Sequence, residues 1–466
     1  MSSTQPATIW DGRRFGITIG SVALVFLAAI EAMAITTVMP VIATDLHGEV
    51  LYAVAFSSTL ATSVIGMVAA GIWNDLRGPR APLTTAVVLF SIGLVVSGIA
   101  PDMYTFVAGR LIQGLGAGGQ IVSLYVLVAR VYPSFLHGKV FAAFAAAWVV
   151  PSMIGPFLAG AVAELSHWRW IFLGVVLLTV AAFVLVTARL RGVSLSAEDD
   201  APTGDLPTRR TILNRIGLSI IVAVAAVGIG IATEAAPQVG WILALLCLAA
   251  IGIAIRPLLP AGTLRARRGL PSVILIRGLL AGAFFASEAF IPKLLIEQFD
   301  FRPTTAGLAL TLAALGWSFA SFLQGRYGDR LGDTRIVTIS VALLLTGVVL
   351  LTAIAALGAL PWLVMFAWGI AGCGMGFLYP RLSVLTLAYS NPSNEGFNSA
   401  ALSISDSAGS AIIIALVGLA SLTVPLAGSG FILVFGISAL VLLACLFPGL
   451  RLGSADTAQR VSGRGL

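Results

Sequence analysis

Charge is what this sequence has least of. Only 10% of its 466 residues are Asp, Glu, Lys or Arg, while 58% are apolar and the mean hydropathy is +1.01. A soluble domain averages about 25% charged residues. Too little polar surface exists to cover a water-soluble body, which excludes an ordinary globular enzyme or binding module. Lysine is nearly missing: Lys139 and Lys293 stand among 27 basic residues, the rest being arginine. Cysteine occurs three times, as Cys247, Cys373 and Cys445, each inside an apolar run; that excludes a disulfide framework and a thiolate metal site. His47, His137 and His167 are scattered and offer no metal spacing. No Gly-Lys-Ser/Thr phosphate loop is present, which argues against ATP-driven work. The glycine run "GLGAGG" at 114–119 lies in an apolar stretch without βαβ context. No catalytic constellation stands out, so neither enzyme chemistry nor a cofactor is expected. Short alternating strands are also missing, which excludes a β-barrel.

What the chain has is long apolar runs, many near the roughly 20 residues that span a bilayer. Spanning helices are expected at 16–44, 52–74, 82–99, 103–131, 138–164 and 168–190, then at 216–234 and 240–256, then at 271–296, 303–325, 336–356, 361–389, 396–423 and 427–447. The first run is too long for a signal-peptide core and lacks a cleavage site, so it is expected to be retained. The reading is an all-α integral membrane protein of fourteen transmembrane helices, grouped six, two and six. It divides into an N-terminal bundle (1–190), a Pro-, Gly- and acid-rich cytoplasmic linker (191–215), an extra hairpin with a basic loop (216–270), a C-terminal bundle (271–450) and a tail (451–466).

Charge sets the orientation. With the N-terminus in the cytoplasm, the outer loops and their margins hold only Arg169, Lys293 and Arg302 of the 27 basic residues. This is a strong positive-inside bias, and an even helix count returns the C-terminus to the cytoplasm. The +7 charge therefore reads as basic loops on the inner cell membrane and not as a nucleic-acid surface.

One charged phrase occurs twice. "AGIWNDLRGPR" (70–80) and "QGRYGDRLGDTR" (324–335) each follow the second helix of a six-helix set. An internal repeat of this size is expected of secondary transporters, in which two bundles rock about a central site. The first copy contributes Gly71, Asp75, Gly78 and Arg80; the second contributes Gly325, Asp329, Arg330 and Gly332.

These phrases resemble the loop signature of the major facilitator superfamily. "AGRLIQGLGAGG" (108–119) is similar to that family's fourth-helix signature through Arg110, Gln113 and Gly114. "WVVPSMIGPFLAG" (148–160) resembles its antiporter fifth-helix signature through Gly155, Pro156 and Gly160. "EAMAITTVMP" (31–40) resembles the first-helix signature of the fourteen-helix drug:proton antiporter branch, with Glu31 where that pattern has aspartate. The resemblance implies two pseudo-symmetric six-helix bundles plus a two-helix insertion. It also implies a conformational latch at the loop aspartates, and a central cavity lined by the first and fourth helices.

Charges inside the bilayer cost roughly 2.5–3.5 kcal/mol each, so each is a functional candidate. Glu31 lies about 15 residues, roughly 22 Å, into the first helix, and Arg110 reaches a similar depth. Glu31 is expected to accept the proton, the alternative being a fixed Glu31–Arg110 pair that only joins helices. Depth likewise pairs Arg381 with Asp406, each about 13–15 Å above the inner surface. Glu288 matches Glu31 in the second half, as a second proton site, a cation site or a residue of the outer water funnel. Trp148, Trp317, Trp368, Phe284, Phe285 and Tyr379 are candidates to line an apolar cavity.

The expected activity is proton-coupled antiport exporting hydrophobic or amphipathic small molecules by alternating access, carried out by a monomer in the lipid bilayer. Export of a native metabolite or lipid is the alternative, with proton symport or a membrane sensor behind it.

Overall fold

In the computed structural model, apolar runs become helices because hydrocarbon offers no partner for backbone N–H and C=O groups outside the segment itself. The structure describes residues 8–9, 11–48, 51–190, 208–234, 237–301, 303–358, 360–423 and 430–452. Among these, the long helices are α1 (Gly12–Asp45), α2 (Tyr52–Arg77), α3 (Arg80–Gly98), α4 (Met103–Val131), α5 (Ser134–Leu165), α6 (Arg169–Leu190), α7 (Arg209–Glu234), α8 (Pro237–Ala254), α9 (Leu270–Glu297), α10 (Pro303–Leu331), α11 (Asp333–Leu357), α12 (Leu363–Ala388), α13 (Glu395–Thr423) and α14 (Phe431–Ala444). A short α15 (Leu446–Gly449) follows. Among the described residues there is no strand, and twelve helices are long and apolar enough to cross a membrane. The remaining two long helices, α2 and α13, have 26 and 29 residues; at 1.5 Å per residue they too exceed a bilayer core of about 30 Å.

Helices α1–α6 pack together, as do α9–α14, and the α7–α8 hairpin lies along α2 with its edge touching α13. Helix α7 begins at Arg209, within the stretch expected to be linker. Residues 191–207 of that linker and 453–466 of the tail lie outside the described residues.

The two bundles repeat one packing device. In the first, α4 is wedged between α2 and α3; a Cβ on Gly118 would overlap the backbone of Ser63. In the second, α12 is wedged between α10 and α11, and a Cβ on Gly372 would overlap the backbone of Ala313. Small residues let helix backbones approach where lipid supplies no hydrophobic drive to association. The turns of the repeated phrase also match: Gly78 and Gly332 sit at φ +72° and +78°, a region that side chains rarely adopt.

Exposed Arg77, Arg80, Arg209, Arg210, Arg265, Arg326, Arg330 and Arg335 all lie at one end of the bundles, called here the basic face. The bundles meet there, α2 against α13 and α5 against α10. Buried apolar side chains form two main clusters, one per bundle. Ala400, Leu402, Ile404 and Ala408 of α13 join the cluster of the opposite bundle, as do Val222, Ala225, Cys247 and Ile251 of the hairpin.

Candidate functional site

Glu31 on α1 and Arg110 on α4 meet in the interior of the first bundle. They are 4% and 3% exposed, and Arg110 Nη1 donates to Glu31 Oε1. The same Nη1 donates to Gln113 Oε1 at 2.7 Å, one helical turn along α4. Thr59 of α2 donates to the Arg110 carbonyl at 3.2 Å, which ties the fourth helix to the second at this level. Arg110 Nε and Gln113 Nε2 are buried without a hydrogen-bond partner among the described residues. A carboxylate and a guanidinium withdrawn from water attract each other strongly, and removing either strands the other. Gly155 of α5 packs on Met33, two residues from Glu31, where a Cβ would approach Met33 to 3.1 Å. Helix α5 runs unbroken through Gly155, Pro156 and half-buried Gly160; the side chain of Pro156 lies outside the described residues.

The second bundle holds a cluster that corrects the expected Arg381–Asp406 pair. Asp406 is engaged by Arg277 of α9, whose Nε donates to Asp406 Oδ1 at 2.8 Å. Tyr379 of α12 donates its hydroxyl to Asp406 Oδ2 at 2.9 Å, and the Arg277 guanidinium stacks 3.1 Å from the Tyr379 ring centroid. Arg381 instead donates through Nε to Asp333 at 2.7 Å, binding α12 to the first turn of α11. Equal depth is not sufficient for contact, because rotation about the helix axis decides which neighbour a side chain meets. Two residues on, Arg381 is turned by about 200° from Tyr379 at 3.6 residues per turn. The sequence expectations do not include Arg277, although an arginine inside an apolar run is itself a signal.

Glu288, three turns beyond Arg277 on α9, is half-buried and has no hydrogen-bond or ion-pair partner among the described residues. One turn before it, Phe284 stacks on Trp368 at 4.5 Å and meets Trp317 edge-on at 5.5 Å, and Trp317 reaches Tyr379 at 5.0 Å. Four of the candidate cavity aromatics thus form one continuous cluster, with Phe285 beside Phe284 at 5.5 Å. Trp148 stands apart on α5 and is exposed.

At the basic face the first repeated phrase touches the opposite bundle. Asp75 accepts from the backbone N–H groups of Gly396 and Phe397 at 2.6 and 2.9 Å. These are free donors in the first turn of α13, where a helix attracts negative charge. Beside it, Arg130 of α4 pairs with Glu395 at 2.7 Å and donates to Pro392 O at 2.7 Å. Gly71 sits backbone to backbone against Gly396. Arg80 caps the last turn of α6 by donating to Leu190 O. In the second phrase, Gly325 packs on Ala142 and Gly138 of α5, Arg330 is exposed, and the side chain of Asp329 lies outside the described residues. The two phrases therefore make equivalent crossings, α2 on α13 and α10 on α5.

Two repeated bundles that meet at one face, each carrying buried charge, fit the architecture of a membrane transporter. The model of the Major Facilitator Superfamily matches residues 22–291 and again 273–464, and the chain belongs to that family. It is 24% identical over 380 residues to the multidrug efflux pump SdrM of Staphylococcus aureus, covering 80% of this chain and 82% of that one. It is 32% identical over 169 residues to the acurin A biosynthesis cluster MFS-type transporter of Aspergillus aculeatus, a match spanning 36% of this chain and 30% of the relative. The human organic anion transporter MFSD10 has the same fold at a TM-score of 0.68 and 14% identity, over 93% of this chain and 99% of that one.

Proposed function

We propose that this transporter is a proton-coupled antiporter of the inner cell membrane that exports hydrophobic or amphipathic small molecules. The observation that carries the reading is the buried Glu31–Arg110 pair, beside the glycine and proline of the antiporter-like α5 signature. Efflux is further supported by the SdrM likeness over four fifths of the chain. The basic face is taken as cytoplasmic by the positive-inside rule; on that reading the structure is sealed inside, and the monomer waits for an outside proton.

A proton on Glu31 removes the negative charge that holds Arg110. The guanidinium then keeps Gln113 and is free to turn, and the neutral acid can cross the hydrocarbon interior at lower cost. Opening of the basic face exposes Glu31 to the cytoplasm, where the proton leaves and substrate enters. The Arg277–Asp406–Tyr379 cluster, half-open through Asp406, acts as a second charge centre in the other bundle. Glu288 presents an acid beside the aromatic cluster for a cationic part of the substrate. Asp75 and Arg130 hold the inside-closed state through α13.

The test is Glu31→Gln in proteoliposomes under an imposed pH gradient. The reading expects pH-driven export to disappear while downhill exchange of substrate persists; undiminished pH-driven antiport would reject it. Export of a native metabolite is a second reading, favoured by the name of the Aspergillus relative. Comparing compound sensitivity with secreted metabolites in a deletion strain separates the two.

A further inference from the structure

We infer that the inserted α7–α8 hairpin is a working part of the inside gate, and that Arg215 is the positioning residue through which it holds α13. The inference rests on the alternating-access reading above but extends it to a segment for which that reading needs no role.

Three observations converge. First, the hairpin packs on the first bundle. Helix α7 packs along α2, and hairpin residues Val222, Ala225, Cys247 and Ile251 belong to that bundle's apolar cluster. Second, it also touches α13 of the second bundle, a contact that includes one charged spot. The Arg215 guanidinium lies 4.1 Å from the ring centroid of Phe397, in the first turn of α13. Phe397 is the residue whose N–H donates to Asp75. One residue thus receives the latch on its backbone and the hairpin on its ring, and the Arg215 charge also acts on the Asp75 carboxylate. Third, the contact closes a small void lined by Val68 and Ile72 of α2, Arg215 of α7, Leu258 beyond α8, and Ala400 and Ile404 of α13. The segment after α8 is in turn tied down near the C-terminus, with Gly269 N–H donating to Arg451 O at 3.2 Å and Arg451 Nη1 donating to Ala266 O at 3.1 Å.

The consequence follows from linkage. A contact biases a two-state equilibrium only if it exists in one state and not in the other. Arg215 moves with α2 and Phe397 with α13, so their contact breaks whenever those helices part at the basic face. A half-buried cation–π pair at this distance is enough to shift such an equilibrium about fivefold. The hairpin therefore adds a third hold on α13, beside Asp75 and Arg130. It does so from a side chain whose removal leaves the residue-397 N–H in place.

The experiment uses the full chain with its three native cysteines replaced and spin labels at Ala81→Cys and Thr334→Cys, exposed near the equivalent ends of α3 and α11. Distance distributions in lipid nanodiscs report the open fraction at the basic face. Arg215→Ala and Phe397→Leu are each expected to raise that fraction about fivefold. Phe397→Tyr, which keeps a ring, should match the parent protein, and the double variant should open no further than either single one. Unchanged populations, or fully additive effects, would overturn the inference. Should Arg215→Ala fold poorly, the contrast between Phe397→Leu and Phe397→Tyr decides alone. Failure of the broader reading looks different: a parent protein that shows one inter-label distance at every pH and substrate concentration does not alternate, and the inference falls with it. Loss or retention of pH-driven transport in Glu31→Gln leaves the distance measurement unaffected.

Discussion

The two bundles share a backbone plan but carry their buried charge in opposite senses. In the first, the leading helix bears the acid, Glu31, and the base, Arg110, sits on α4; both side chains are sealed, at 5% and 3% exposure. In the second, the leading helix bears the base, Arg277, and the acid, Asp406, sits on α13 with 20% of its side chain open. The repeat thus fixed where helices cross, through Gly118 and Gly372, while the chemistry placed on those crossings diverged. One pair is isolated from water. The other has a tyrosine hydroxyl as a third partner and stands partly open.

Arginine removal should break this comparison most sharply. Arg110→Ala leaves Glu31 buried and unpaired, and is expected to cost about 3–5 kcal/mol of stability; Arg277→Ala should cost less, because Asp406 keeps Tyr379 and some water. Thermal melting of both variants in the same detergent measures the difference, and equal losses would erase the distinction between sealed and open pairs. Overpacking comes next. Gly118→Ala and Gly372→Ala should each cost about 1–3 kcal/mol by the same measurement. Gly174→Ala, where an added Cβ meets nothing within 4 Å, should be silent. A large gap between the first two would mean that the repeat is less equivalent than its geometry. Asp75→Asn removes one charge-assisted helix-end contact and should weaken closure of the basic face by about 1 kcal/mol, read as a larger open fraction between the labels described above. The smallest effect is at the opposite face. Hydrogen bonds from the Thr105 N–H and hydroxyl hold the Asp102 carboxyl below its ordinary value of 3.8. Its lowered pKa means that its stabilising contribution is present above pH 3.8 and is lost as pH falls below it. Asp102→Ala should therefore lower the melting temperature slightly at pH 7, and by less as the pH falls below 3.8.

Much of the first bundle was legible before any coordinates, because its signatures are local. Glu31, Arg110 and Gln113 announce themselves as polar residues inside apolar runs, and the spacing of Arg110 and Gln113 is one helical turn. The second bundle was harder to read. Depth measured from helix ends paired Arg381 with Asp406, but depth leaves rotation undetermined, and Arg381 faces Asp333 of the neighbouring turn. Arg277 lies close to the basic end of α9, where an arginine passes for an interface anchor. The glycines of "AGCGMG" at 371–376 repeat the work of "GLGAGG", but they fall four residues out of register when the two halves are aligned on the repeated charged phrase. Hydropathy alone gives no hint that α7 touches Phe397, since that contact depends on how the hairpin docks.

The apolar residues of α13 that lodge in the other bundle's core carry a thermal consequence. Prising Ala400, Leu402, Ile404 and Ala408 away wets oily surface, and wetting such surface raises the heat capacity. The population open at the basic face should accordingly follow a curved van't Hoff plot, so a transporter tuned at one growth temperature would cycle differently on both warming and chilling.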